Sequence, residues 1–183
     1  AEWVPGEAGA NARLDAFEER ASRYESRRNL PSIEGTSRLS PHLHFGEISP
    51  ATLWHRLAGQ GGEVETFLKE LVWRDYAQNI ILSLPDYGRS NGKPAFDGLP
   101  WRNVAEPDVA ADLAAWQQGR TGYPIVDAGM RQLWATGWIH NRVRMIAASF
   151  LVKHLLIDWR VGEQWFWDTL VDADYGSNAV NWQ

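Results

Sequence analysis

The stretch Gly35-Thr36-Ser37-Arg38-Leu39-Ser40-Pro41 gathers a glycine, three hydroxyl side chains and an arginine. Backbone N–H groups, hydroxyls and a guanidinium concentrated in one turn can all donate to a single anion, typically a phosphate. The same composition also suits a plain Ser/Thr turn that caps the next helix. A second group, Glu70, Trp73, Arg74 and Ala77, falls at i, i+3, i+4 and i+7 of a helical segment and so shares one face. A carboxylate beside a flat indole can hydrogen-bond and stack a nucleobase. The alternative is a core tryptophan next to an ordinary Glu70–Arg74 surface pair.

The third group lies in Gly137 to Met145, GWIHNRVRM. A helix starting near Asn141 puts Asn141, Arg144, Met145 and Ala148 on one face, with Arg142 pointing elsewhere. Two arginines in a first helical turn oppose the helix dipole, which asks for an external anion or a paired carboxylate. His140 has no second ligand at metal spacing and reads as a structural histidine. The fourth group, Asp172 and Asp174 in DADYGSN, lacks the central glycine and terminal glutamate of a calcium loop. These carboxylates are expected to pair with Arg144, and no metal site is expected.

The elements that carry these groups read as helices. Residues 7–27 place Leu14, Phe17 and Ala21 at helical spacing. Ser49-Pro50 supplies an N-cap and a first-turn proline for a short helix ended by Gly59. Gly61-Gly62 separates it from a helix over about 63–84. Further helices start near Asp108 and at Pro124, closed by Gly119 and Gly137. The segment 141–157 is the most apolar and predicts a helix buried all round, and a last helix is expected over about 162–171. Residues 28–40 and 85–107 are turn-rich and resist the pattern. Strand signals are nearly absent and nothing repeats, so the fold class is all-α.

Composition narrows the function. A chain of 183 residues, 44% hydrophobic and 22% charged, is an ordinary globular domain rather than a disordered or coiled-coil one. Eighteen basic against 23 acidic side chains leave a net charge of −5, so any nucleic-acid contact must be a local patch. Without cysteine, disulfides, thiol catalysis and Cys-ligated metals are excluded. Half of the aromatic residues are tryptophan, 11 against 6 Phe and 5 Tyr; Trp54, Trp116, Trp134 and Trp138 are expected in the core. The first 28 residues are charged throughout without a signal-peptide core, and 145–159 is broken by Lys153, His154 and Asp158. A cytoplasmic protein without a membrane span is expected. A start at Ala1 and a stop within NWQ predict a piece of something longer.

In order, GTSRLSPHLHFGEIS, FLKELVWRDY, GRTGYPIVDAGMRQLWATGWIHNRVRM, LVKHLLIDWRVGEQWFWDTLVDAD and NAVNWQ closely resemble the flavin-binding catalytic domain of the DNA photolyase and cryptochrome family. The resemblance runs from about Trp3 to Gln183. It implies one all-helical domain holding FAD in a U-shape at the base of a DNA-facing cavity. Tyr24 and Thr36, Ser37, Arg38, Leu39 and Ser40 would contact the FAD phosphates and ribityl chain. Phe67 stands where the family often has Trp near the adenine. Arg74, Arg144, Asp172, Ala173 and Asp174 would line the flavin, the Arg144–Asp172 pair bracing its ring, and Asn178 would face N5. Glu70, Trp73, Asn141 and Met145 match lesion-contacting positions, and Arg28 and Arg142 phosphate-contacting ones. Trp182, Trp159 and Trp101 match the inner, middle and outer members of a tryptophan electron-transfer chain. The family also carries an N-terminal antenna domain, with a folate or deazaflavin chromophore, and further helices beyond NWQ; neither lies in this chain.

The implied activity is light-dependent repair of UV-damaged DNA by a monomeric carbon–carbon lyase. Photoexcited FADH⁻ donates an electron to a flipped cyclobutane pyrimidine dimer, the ring splits, and the electron returns. The rival is a signalling cryptochrome. Plant-type cryptochromes tend to replace the residues corresponding to Glu70, Trp73 and Asn178, all of photolyase type here, although RTGYPIVDAGMRQLWATGW and FWDTLVDAD lean toward the plant-cryptochrome-like branch, which also includes repair enzymes. Asn141 in place of a second histidine disfavours six-four repair. A cofactor-free helical interaction module is the third reading.

Overall fold

A computed structural model of the chain describes residues 3–182. Every regular element among them is helical. The chain forms two compact units, Ala1–Tyr76 and Ala77–Gln183, with the boundary inside one long helix.

In the first unit α1 (Glu7–Glu18) is followed by a 3₁₀ turn (Ala21–Arg23) and α2 (Tyr24–Arg27), then α3 (Ser40–His44), α4 (Pro50–Leu57) and the start of α5 (Val64–Ser83). The continuous helix expected over 7–27 is broken because Arg20 leaves the helical path, at φ −121° and ψ −1°. The apolar period survives the break: Ala10, Leu14, Phe17, Ala21 and Tyr24 are all buried. Phe17, Tyr24 and Phe67 form the centre of this core, with ring centroids 4.8 to 5.6 Å apart. Ser49 caps α4, its hydroxyl accepting from Thr52 N–H at 3.0 Å. Glu47 pins the unit's N-terminal end, accepting from Gly6 N–H at 2.7 Å and meeting buried His42 Nδ1 at 2.5 Å.

The second unit holds the C-terminal part of α5 with α6 (Pro107–Gln117), α7 (Pro124–Thr136), α8 (Asn141–Ser149), α9 (Trp159–Thr169) and α10 (Tyr175–Trp182), and Gly176 of α10 lies against Ala77 and Gln78 of α5. Trp116 is fully buried, stacks on Phe166 and donates its indole N–H to the Ala147 carbonyl at 2.9 Å. Gly137 closes α7 in the left-handed region, at φ 70°. Gly162 lets α9 approach the Trp182 indole and Leu151, because a Cβ there would collide with both.

Two expectations need correction. The helix over 141–157 is not continuous and not buried all round. It ends at Ser149, passes into a π turn at Phe150–His154 and leaves Met145 and Ile146 exposed. Trp134 is 71% exposed and Trp54 is also exposed. Each sits one residue, about 100° of helix, from a buried leucine, Leu133 and Leu53, so its side chain leaves the core face. Trp134 stacks instead on Trp165, with centroids 5.8 Å apart and planes 7° from parallel. Finally, α3 and α10 were not expected from periodicity; both are too short to show it.

The RTGYP turn ahead of α7 is organised by buried Asp127. Its carboxylate accepts from Thr121 N–H at 2.7 Å, Thr121 Oγ1–H at 2.6 Å and Gly122 N–H at 2.9 Å. Burial alone would push this carboxyl up, but the three donors more than offset it and hold it below the usual range. A carboxyl depressed in the folded state adds stability above its unfolded value, about 4, and loses it as pH falls through the folded value. The wild-type Tm is therefore expected to fall on acidification below about pH 4. Asp127→Asn should start from a lower Tm at neutral pH and show a flatter acid limb in thermal melts. An unchanged limb would contradict this.

Candidate functional site

In the first unit the Tyr24 hydroxyl and the Arg28 guanidinium converge on the Glu70 carboxylate of α5. Burial, the neighbouring Glu70 charge and the hydrogen bond to it all push the Tyr24 phenol far up, so it stays protonated as a donor. Arg28 also lies over the Tyr24 ring, 5.5 Å from its centroid. One turn along α5, Trp73 is 66% exposed and edge-on to Tyr76 at 5.5 Å. The unit thus holds a fixed carboxylate one helical turn from an exposed indole. Phe67 is buried within the core.

The turn over 36–40 lies in the same unit. Gly35 runs against the Arg27 carbonyl so closely that a Cβ would not fit. Arg38 is left-handed at φ 52°. Such a conformation costs a non-glycine residue about 1–2 kcal/mol and persists only where the surrounding structure enforces it; Leu156 is the other described case, at φ 51°. Ser37 Oγ accepts from Leu39 N–H at 3.3 Å.

In the second unit Arg144 faces Asp172 at 3.9 Å, too long for a hydrogen bond. Arg144 Nε and Asp172 Oδ1 are buried and have no hydrogen-bond partner. Asp174 does not join Arg144, contrary to the expected pairing. It takes Gln78 Nε2 at 2.9 and 2.8 Å and caps α10, accepting from Ser177 N–H at 2.7 Å. Ala173 is half-buried between the two aspartates. Asn178 is buried; its amide N–H₂ donates to Glu163 Oε1 at 2.9 Å and its carbonyl accepts from Trp182 Nε1 at 3.2 Å. Burial raises the Glu163 carboxyl and the Asn178 bond pulls it back.

Also in this unit, Trp182 packs on Gly162, one turn from Trp159 on α9, and on Phe166 at 5.1 Å. Trp159 Nε1 donates to Asn91 Oδ1 at 2.8 Å. Arg102 N–H binds the Leu156 carbonyl at 2.8 Å, which ties the strand of chain holding Trp101 to the segment leading into Trp159. On α8, Asn141 is exposed, and Arg142 reaches Met145 Sδ at 3.5 Å instead of pointing away from that face. His140 Nδ1 accepts from Arg142 N–H at 3.2 Å and caps the helix.

Residues 67–183 match the family model described as the FAD binding domain of DNA photolyase. The chain belongs to that family. Among its photolyase relatives, the deoxyribodipyrimidine photo-lyase of Agrobacterium fabrum is 52% identical over 99% of this chain and 38% of its own length. The crystal structure of a class III photolyase from Agrobacterium tumefaciens superposes with a TM-score of 0.92 at 51% identity, covering 99% of this chain and 38% of that one. A Synechocystis cryptochrome gives a TM-score of 0.88 at 33% identity, covering all of this chain and 39% of its own. The chain therefore spans under two-fifths of the length of the photolyases it matches.

Three residues that bond to the candidate residues escaped sequence reasoning. Gln78 lies one turn beyond Arg74 on the Glu70 face, so extending that face would have found it. Glu163 lies one turn beyond Trp159. Arg20 lies one turn before Tyr24, and its Nη2 donates to the Thr36 carbonyl at 3.3 Å.

Proposed function

We propose that this chain is the flavin-binding part of a light-dependent DNA repair enzyme that splits cyclobutane pyrimidine dimers. The observation that carries the reading is the Glu70 carboxylate, fixed by Tyr24 and Arg28, beside the exposed Trp73 indole. Glu70 would accept hydrogen bonds from a flipped dimer while Trp73 stacks on it, with Asn141 and Met145 as further contacts and Arg28 and Arg142 on the DNA phosphates.

The residues fit FAD. A dinucleotide flavin offers phosphate anions and a polar ring edge. Taken by itself, the donor-rich turn 36–40 of the first unit suits phosphate anions; in the second unit, buried Arg144 Nε and Asp172 Oδ1 have no hydrogen-bond partner and suit a polar ring edge. Thr36, Ser37, Arg38, Leu39 and Ser40 would hold the phosphates, and Arg74, Arg144, Asp172, Ala173 and Asp174 the flavin, with Asn178 toward N5. Reduced FAD, when bound, supplies the light-driven electron that opens the dimer. The chain's own part is orientation: Glu163 and Trp182 lock both ends of the Asn178 amide, and Asp174 fixes the start of α10. Trp182, Trp159 and Trp101 would carry electrons in from the surface. An antenna chromophore of folate or deazaflavin type would sit outside this chain, and the protein would act as a monomer in the cytoplasm. No helix among the described residues is long and apolar enough to cross a membrane.

A blue-light photoreceptor is the second reading, favoured by the likeness to the Synechocystis cryptochrome. Competition binding separates the two: the repair reading expects the full-length protein to prefer a thymine-dimer duplex over the same intact duplex, and equal binding contradicts it. With a net charge of −5, DNA affinity must come from local arginines. Arg142→Ala is expected to weaken binding to damaged and intact DNA alike and to lower the salt slope by about one. A loss confined to the damaged duplex would contradict its phosphate role.

A further inference from the structure

Arg20 stands where α1 gives way to the 3₁₀ turn, and its guanidinium does two things there. Nη2 holds the Thr36 carbonyl at 3.3 Å, while Nε is buried without a hydrogen-bond partner. Arginine is charged at every working pH and can only donate. A buried donor left unsatisfied costs about 1–3 kcal/mol, so a site of this kind is completed by an acceptor. Two other arginines of the same unit have carboxylates: Arg28 has Glu70, and Arg56 has Asp15 and Glu18. Arg20 pairs with no carboxylate among the described residues.

The partner it does have is the first residue of the anion-donor turn. That turn is held against its own preference: Gly35 is pressed on the Arg27 carbonyl, and Arg38 is left-handed at φ 52°. The Arg20 bond to the Thr36 carbonyl fixes the start of the turn, and the Leu39 N–H bond to Ser37 Oγ holds its middle.

We propose that Arg20 is a positioning residue of the cofactor's phosphate cradle: it anchors turn 36–40 through Thr36 and adds to that turn a positive charge with no carboxylate partner, which favours a dinucleotide pyrophosphate held there. The proposal rests on the flavin reading above. It predicts discrimination between flavins by their phosphates, which a purely structural arginine would not give.

The test titrates FAD and riboflavin, which lacks phosphate, into the flavin-stripped full-length protein as wild type, Arg20→Lys and Arg20→Met. Arg20→Met is expected to weaken FAD binding about tenfold or more, and Arg20→Lys less, because it keeps the charge. Riboflavin binding should stay at the wild-type value. Equal FAD affinity in all three proteins overturns the proposal. So does a loss that is the same for both flavins, which would mark a structural role. Should Arg20→Met not fold, the Arg20→Lys comparison decides by the same criterion. A wild type that binds no FAD refutes the flavin reading itself, an outcome distinct from the failure of Arg20.

Discussion

Trp73→Ala is expected to weaken binding of the full-length protein to a thymine-dimer duplex by on the order of tenfold to a hundredfold, with flavin retained. The indole is 66% exposed and touches Tyr76 only edge-on, so its removal leaves the core intact. Stacking of a base on an aromatic ring is worth about 1–3 kcal/mol, and about 1.4 kcal/mol is a factor of ten. Affinity for intact DNA, set by phosphate contacts, should hardly change. Glu70→Gln is the companion variant: a charge-assisted hydrogen bond is worth roughly 1.5–3 kcal/mol, and the loss should appear in repair yield per photon as well as in affinity. Because Glu70 also holds Tyr24 and Arg28, its variant should lower Tm, whereas Trp73→Ala should not. Equal dimer affinity for wild type and Trp73→Ala would remove Trp73 from the lesion site.

The second large effect is on cofactor retention. Ser37→Ala combined with Arg38→Ala is expected to release flavin from the full-length protein during purification, because it removes a hydroxyl and a guanidinium from the turn that supplies anion donors. Arg38→Gly separates side chain from backbone. Glycine adopts φ 52° without the left-handed penalty, so the turn is kept or stabilised while the charge is lost. Retained flavin in Arg38→Gly with loss in the double variant would assign the function to the turn's hydroxyl and backbone N–H groups. Full flavin occupancy in the double variant, read from the ratio of flavin to protein absorbance, would refute the role of the turn.

What could be read from the sequence followed from signals that act over one or two helical turns. Glu70 and Trp73 share a face by spacing alone, and Ser49, Pro124 and Gly137 mark helix ends through their own backbone chemistry. The Arg144–Asp172 pair was legible because a cation in a first helical turn asks for an anion. Contacts set by tertiary structure were not legible. Arg20 breaks a helix whose hydrophobic period continues unbroken past it. Asp174 caps α10 and takes Gln78, and nothing local distinguishes it from Asp172 as a partner for Arg144. Trp134 was expected in the core; its position, about 100° from Leu133, and its stack on Trp165 keep it outside. The resemblance of the five motifs named the family; the residues alone left each group with two readings.

Light-dependent restoration of thymines tests the central claim most directly. The purified full-length protein, with its flavin reduced, is mixed with a short oligonucleotide carrying one thymine dimer and either illuminated with blue light or kept dark, and intact strand is then quantified by chromatography. The repair reading predicts conversion to intact strand under illumination, none in the dark, and a sharp drop with Trp73→Ala at limiting substrate. A flavin-loaded protein that restores no thymines in the light would contradict the account and favour the photoreceptor.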